Sequence, residues 1–276
     1  MLEEQIDPNR PDPARVYDWF LGGKSSYAVD EAAGRGVERM WPGVRIAARA
    51  NREFLGRAIR WLTAEAGVRQ FLDIGTGIPT EPNIHQIAQA IAPETRVAYT
   101  DNRLIVLRYA EVLMQGTPEG RTAYLHADFC DPASILASPR LAEVLDLSQP
   151  VALCLNALLH YIADDEAAGV DALALVRTYV DALPPGSYLL ITHVTPDFDP
   201  DTFARVTAGD RAATGQTGQV RTKAEIERFF AGLEMVEPGL VPPQDWRPDG
   251  PAPEDTTHRT VSMWAGVARV PGGGAA

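Results

Sequence analysis

The chain has 276 residues, is 45% apolar and carries a formal charge of −12 at neutral pH, which suits one large domain or a domain with appendages. Such an acidic surface disfavours DNA or RNA, and arginines at 45, 49, 52, 57 and 60 read as the solvated face of one helix rather than a basic patch. Two cysteines, Cys130 and Cys154, exclude a disulfide framework or a cysteine metal cluster, and no run nears the roughly 20 apolar residues that span a bilayer; the expectation is a cytoplasmic protein with no nucleic-acid or membrane partner and no metal.

Residues 1–13 mix prolines with charges, the pattern of an extended arm. Helical spacing follows, with Ala14, Val16, Tyr17, Phe20 and Leu21 on one face and Ile46, Phe54, Leu55, Ile59 and Leu62 on another. Between them Gly22–Tyr27 forms a glycine-rich corner. It reads either as a helix stop or as part of a lid over a ligand site, for which Tyr17, Gly23, Lys24 and Tyr27 are the candidates. Residues 1–66 are thus expected to be an arm and helical cap, 67–270 the main domain, and 271–276 a disordered tail.

Strands are predicted at 69–74, 96–100, 121–126, 150–155, 187–193, about 233–237 and 260–268, mostly with helices between them. That alternation is α/β with a parallel sheet. The first intervening helix is expected from about Thr80. Asp164, Asp165 and Glu166 are read as the first turn of a helix reaching Leu183, and Thr222-Lys223-Ala224-Glu225 as a capping box for a helix over 225–232. Residues 242–258 are crowded with Pro, Asp and Thr, a long loop in which Trp246 either covers an acceptor or packs back on the body.

The first strand runs into Phe71-Leu72-Asp73-Ile74-Gly75-Thr76-Gly77, an apolar segment ending in Gly-x-Gly, where backbone approaches a nucleotide without a Cβ in the way. Asp101 ends the second strand 26 positions after Gly75 and Asp128 follows the third. Carboxylates at those ends meet in the crevice where ligands bind, and the spacing to Asp101 is that of a ribose-binding acid. A third glycine for pyrophosphate is replaced by Thr80, and Gly22-Gly23-Lys24-Ser25 lacks the earlier glycine of a phosphate loop. A nucleoside ligand without polyphosphate fits better, and S-adenosylmethionine, with its ribose diol and cationic sulfur, is such a ligand.

Asp12-Pro13-Ala14-Arg15-Val16-Tyr17-Asp18-Trp19-Phe20-Leu21-Gly22-Gly23-Lys24, Ala50-Asn51-Arg52, Gln70 through Thr80 and Pro185-Gly186-Ser187-Tyr188-Leu189 together resemble a bacterial family of S-adenosylmethionine-dependent methyltransferases long catalogued as having unknown function. The resemblance runs through nearly the whole chain. It implies the class I fold, a doubly wound, mostly parallel, Rossmann-like seven-stranded sheet whose last strand is antiparallel, behind an N-terminal helical cap. The expected cofactor site is Asp73, Gly75, Thr76, Gly77, Asp101, Asn102, Asp128 and Phe129, to which the resemblance adds Asn156 and Ala157. There Asp101 is expected to hold the ribose and Asp128 to lie near the adenine amino group, while Asp73 anchors either the turn or the amino acid end of the cofactor.

Methyl transfer to a hydroxyl requires a group to take the proton, and histidine is the commonest near neutrality. His160 and His193 both follow apolar strands and are the candidate bases; the competing reading is that each hydrogen-bonds a loop carbonyl. The leading function is methyl transfer to an oxygen or nitrogen of a small molecule. The rival is a non-catalytic sensor of S-adenosylmethionine or its demethylated product, with an NAD-dependent reductase third. The acceptor and the oligomeric state, a homodimer included, are left open.

Overall fold

The structure, a computed structural model, describes residues 7–113, 116–214 and 218–272; residues 1–6 of the expected arm and 273–276 of the expected tail lie outside the described residues. Helix α1 (Pro13–Phe20) starts where Asp12 accepts from the backbone N–H groups of Ala14 and Arg15 and Pro13 fills the first turn. Helix α2 (Ala28–Met40) follows the glycine corner, in which Gly22 takes φ +83° and Gly23 N donates back to Asp18 O, a helix stop. Residues 7–12, the described part of the expected arm, are tied to both helices. Fully buried Asp30 accepts from Arg15 Nε at 2.6 Å, Asp12 N at 2.8 Å and Tyr27 N at 2.8 Å, and Arg15 Nη2 donates to the carbonyls of Asp7 and Arg10. One buried ion pair therefore pins residues 7–12 onto both helices.

Helix α3 (Val44–Ala64) leads into β1 (Gln70–Ile74), α4 (Ile84–Gln89), β2 (Arg96–Asp101), α5 (Leu104–Leu113), β3 (Arg121–His126), α6 (Pro132–Leu136), α7 (Pro139–Ala142), β4 (Ala152–Asn156), α8 (Ala172–Asp181), β5 (Tyr188–Val194), α9 (Pro200–Thr214), α10 (Lys223–Glu227), β6 (Glu234–Met235), α11 (His258–Val261) and β7 (Met263–Arg269). The sheet order is β3-β2-β1-β4-β5-β7-β6. Strands β1 to β5 run parallel, while β7 pairs antiparallel with both β5 and β6. The order reverses between β1 and β4, so the turns leaving those strands diverge and open a crevice at their carboxyl ends.

Both sheet faces are covered, which is why β4 up to Leu155 and β5 up to Ile191 read as apolar runs. Leu72, Leu153 and Leu189 face the α8 side; Phe71, Cys154 and Leu190 face α3. A third cluster of Phe20, Trp41, Val44, Ala47, Val194, Phe203 and Met263 seats the N-terminal helices on α9 and the ends of β5 and β7.

Four local expectations need correction. Helix α4 begins at Ile84, not near Thr80, because Asn83 and Gln86 form its capping box. Helix α8 begins at Ala172, where Asp171 accepts from Ala174 N; Asp164–Glu166 lie in the loop before it, with Asp164 accepting from Ala172 N and Arg221. Arg57 is not on a solvated face. It is buried, donating to the carbonyls of Trp246 (3.0 Å) and Pro243 (2.6 Å). Trp246 is no cover for an acceptor, since it is 0% exposed and stands edge-on to Phe54 and Trp61 in the α3-side core.

Candidate active site

The turn after β1 puts Gly75 at φ +76° and Gly77 at φ +67°, backbone that side chains with a Cβ adopt only under strain. A Cβ on Gly75 would stand 2.6 Å from Leu158, whereas one on Gly77 would meet open space. Gly75 therefore brings the β4 loop close, and Gly77 leaves a clear backbone cradle. Asp101, at the end of β2, braces that cradle: Oδ2 accepts from Gly77 N at 2.9 Å and Oδ1 from Arg103 N at 2.8 Å. Burial raises its carboxyl above the usual range, and the two N–H groups pull it back. Each oxygen keeps lone-pair capacity for a further donor such as a ribose hydroxyl.

Asp73 lies beneath the turn, and Thr76 Oγ1 donates to its backbone carbonyl at 3.3 Å. Burial pushes the Asp73 carboxyl up to about 7, against the Thr76 hydroxyl and the Arg52 guanidinium, which lower it. Past β3, Asp128 accepts from Asn102 Nδ2 at 2.9 Å and from Cys130 N at 2.8 Å. That link joins the β2 and β3 turns. Phe129 is buried, stacked on Tyr179, whose hydroxyl donates to the Phe129 carbonyl.

At the end of β4, Thr192 Oγ1 donates to Asn156 Oδ1 and accepts from Ala157 N. Ala157 sits at φ +53°, a left-handed conformation that costs an alanine roughly 1 kcal/mol or more and persists only where its surroundings impose it. Beyond it the chain borders a cavity of about 490 Å³. Its walls are apolar side chains of α1, α2, α3 and α9 (Val16, Phe20, Val37, Trp41, Val44, Phe203) with Val194 and Met263 from the sheet, and its polar groups include Tyr17, His160, Tyr161, Asp12 and Arg103. None of the acids Asp73, Asp101 and Asp128 lines it. The cavity is a neighbour of the acid-bearing turns, joined to them through Arg103, whose N–H holds Asp101, and through Ala157.

The two histidines fall into different environments. His160 borders the cavity, its Nδ1 is buried with no hydrogen-bond partner among the described residues, and burial followed by the charge of Arg221 pushes it down to about 4. His193 is 0% exposed and outside the cavity lining, with Nδ1 on the Val194 carbonyl at 2.7 Å and Nε2 accepting from Arg221 at 3.2 Å. With both nitrogens engaged it is a structural group, and the expectation of a base there does not fit its position. Arg221, which sequence reasoning missed, also donates to the carbonyls of Leu159 and Ile162 and to Asp164. It thereby fixes the short 3-10 turn Leu159–Tyr161 that presents His160. A lone arginine in a loop carries no sequence signal for such a role.

Of the proposed lid residues only Tyr17 reaches the cavity. Its hydroxyl accepts from Asn51 Nδ2 at 2.7 Å. Gly23 is the helix stop, a Cβ on it would run into the Asp18 carboxylate, and Lys24 and Tyr27 stay in the α1–α2 corner.

A protein-family profile described as S-adenosyl methyltransferase matches residues 1–271. Among solved structures, a DUF574 family protein from Streptomyces avermitilis is 46% identical, covers 97% of this chain and 100% of its own, and superposes with a TM-score of 0.90. A candidate methyltransferase from Thermobifida fusca is 37% identical over 95% of this chain and 96% of its own, with a TM-score of 0.85. An O-methyltransferase family protein from Burkholderia thailandensis shares the fold at 13% identity, covering 96% of this chain and 65% of its own with a TM-score of 0.52. No protein of curated function matches.

Proposed function

The chain belongs to the S-adenosyl methyltransferase family and is an S-adenosylmethionine-dependent methyltransferase; from that premise we propose that it methylates an oxygen or nitrogen of a small, largely apolar molecule held under the helical cap. The observation that carries this is the apolar cavity of about 490 Å³ beside the Asp101 turn, with His160 among the residues that border it. That volume lies in the range that encloses a small organic ligand. The bare Gly77 cradle and the spare acceptor capacity of Asp101 suit a nucleoside, with Asn102, Asp128 and Phe129 on the adenine side, Ala157 bordering the cavity and Asn156 just before it. Bound S-adenosylmethionine supplies an electrophilic methyl group on a cationic sulfur.

The chain's own part is to position, to exclude water and to accept a proton. His160 is neutral near pH 7, so its imidazole carries a nitrogen that can accept a hydrogen bond from a hydroxyl or amine. A base titrating at about 4 is weak for deprotonating a resting alcohol. It suffices once the new bond to carbon has formed, because an alkylated hydroxyl is far more acidic than an imidazolium. His160→Ala is expected to leave cofactor affinity within about 2-fold and to slow turnover by roughly 100-fold.

The pH profile follows from the same group. A depressed histidine is protonated only below its own pKa, so the acid limb of kcat/KM should fall near pH 4 rather than near 6.5. The measurement is S-adenosylhomocysteine release by mass spectrometry with a library of small apolar hydroxyl and amine compounds, repeated with the variant across pH 4 to 8. Equal turnover by wild type and His160→Ala removes the base, and no turnover with any small apolar compound rejects the acceptor class.

A further inference from the structure

Helix α2 carries two interior glycines, and the fold explains only one of them. A Cβ on Gly34 would run into the Trp19 ring of α1, so packing demands glycine there. A Cβ on Gly36 would meet only the far end of Arg39, at 3.8 Å, although glycine inside a helix is less favourable than alanine because it fixes the most mobile backbone. What Gly36 does border is the cavity beneath the helical cap. It lines that space with Ala33, one turn earlier, and with Val37 and Met40 on the same side of α2.

Other parts of the cavity wall are aromatic. Phe20, Trp41 and Phe203 are buried there, Trp41 stands edge-on to Phe203 with ring centres 5.0 Å apart, and its Nε1 donates to the Thr260 carbonyl at 3.0 Å. Side chains packed this deeply give their part of the wall a fixed shape. Such rings favour another ring, through edge-to-face and offset contacts that a saturated molecule of the same size does not make. A cavity of roughly 150 Å³ holds one benzene, so about 490 Å³ has room for more than one ring. A phenolic hydroxyl also suits a weak base, since it ionises near 10, as tyrosine does (roughly 10), whereas an aliphatic alcohol holds its proton far more tightly.

We propose that the methyl acceptor is an aromatic hydroxyl compound of more than one ring that lies against α2, and that Ala33 and Gly36 set the size of ring system admitted. The proposal rests on the reading of this cavity as the acceptor site.

The test is calorimetry on the full chain saturated with S-adenosylhomocysteine, using 2-naphthol, its saturated counterpart decahydro-2-naphthol, and phenol. Wild type should bind naphthol at least about 10-fold more tightly than either of the others. Ala33→Leu and Gly36→Leu should each weaken naphthol by about 10-fold or more, with phenol and S-adenosylhomocysteine staying within about 3-fold. Gly36→Ala supplies a readout that needs no ligand: it should melt at or above the wild-type temperature, whereas Gly34→Ala should melt below it. Equal affinity for naphthol and its saturated counterpart overturns the aromatic class. Unchanged naphthol affinity in both leucine variants, or early melting of Gly36→Ala, overturns the role given to α2. Should the leucine variants fail to fold, the wild-type comparison and Gly36→Ala decide. Tighter binding of the saturated alcohol rejects the ring and leaves an apolar acceptor site standing, whereas binding of none of the three brings down that reading as well.

Discussion

Asp101→Ala is expected to weaken S-adenosylhomocysteine binding by roughly 30- to 1,000-fold, about 2 to 4 kcal/mol. Two losses add. The carboxylate presents about four lone-pair sites, of which Gly77 N and Arg103 N use two, and the ribose diol would take the others. Alanine removes both ribose contacts. It also leaves two backbone donors unanswered in a partly buried turn, so the cradle loses the brace that holds Gly77 in its left-handed conformation. Asp101→Asn separates the two effects, because it keeps the shape and one acceptor without the charge, and a loss nearer 10-fold is expected. Calorimetry well below the melting temperature of each variant makes the comparison fair. A variant that melts earlier yet binds within about 3-fold of wild type would leave Asp101 as a brace for the turn and nothing more.

The sequence made the strands and their carboxyl ends legible because both faces of the sheet are buried, so that β1, β4 and β5 stand out as short apolar runs closed by Asp, Asn, Gly or His. The antiparallel place of β7 came through family likeness, since nothing in Met263–Arg269 itself specifies direction. Helix starts were legible where a cap was recognised, as at Thr222 and Glu225, which do form the expected capping box. They were missed where a better cap was passed over: Asn83 with Gln86, and Asp171 with its Ala174 bond, carry the same chemistry as the sites preferred to them.

Side-chain roles that depend on a distant partner were the least legible. Arg57 and Trp246 lie 189 positions apart, and each looks solvent-facing until the other is in place. His160 and His193 are alike in sequence, both polar and both at strand ends. Their rings stand 5.7 Å apart, yet Arg221 saturates one and leaves the other facing the cavity. Gly34 and Gly36 stand two positions apart on one helix with nothing in the sequence to separate them. Only the packing of α1 shows that one faces Trp19 and the other borders the cavity.

Asp73→Asn is expected to stabilise the protein at alkaline pH by up to about 4 kcal/mol, and to do nothing near pH 4. In the folded chain burial raises the carboxyl from 3.8 to about 7, and each unit corresponds to about 1.4 kcal/mol. A raised carboxyl favours the protonated form in the fold. Below about pH 4 both folded and unfolded chains are protonated at this site and the group costs nothing. Between pH 4 and 7 the unfolded chain ionises while the folded chain holds its proton, so stability is lost steadily, and above 7 the full cost applies. Asparagine does not titrate, so the difference in melting temperature between variant and wild type should open from pH 4 to 8 and then stay level. A difference that does not change with pH would mean that Asp73 is ionised normally and that solvent reaches it.

A destabilising acid beneath a ligand turn makes sense if the ligand answers it. Arg52 already lowers the Asp73 carboxyl from one side, and the sulfonium of the donor would add a second positive charge that its demethylated product lacks. Near pH 7, where the carboxyl is about half protonated, binding of S-adenosylmethionine should therefore expel a fraction of a proton, and binding of S-adenosylhomocysteine should expel less. Calorimetry in two buffers of different ionisation enthalpy measures that fraction directly. Asp73→Asn should abolish the difference between the two ligands; a difference that survives the substitution would place the responding group elsewhere, with Asp101, the other buried acid raised by desolvation, the next to test.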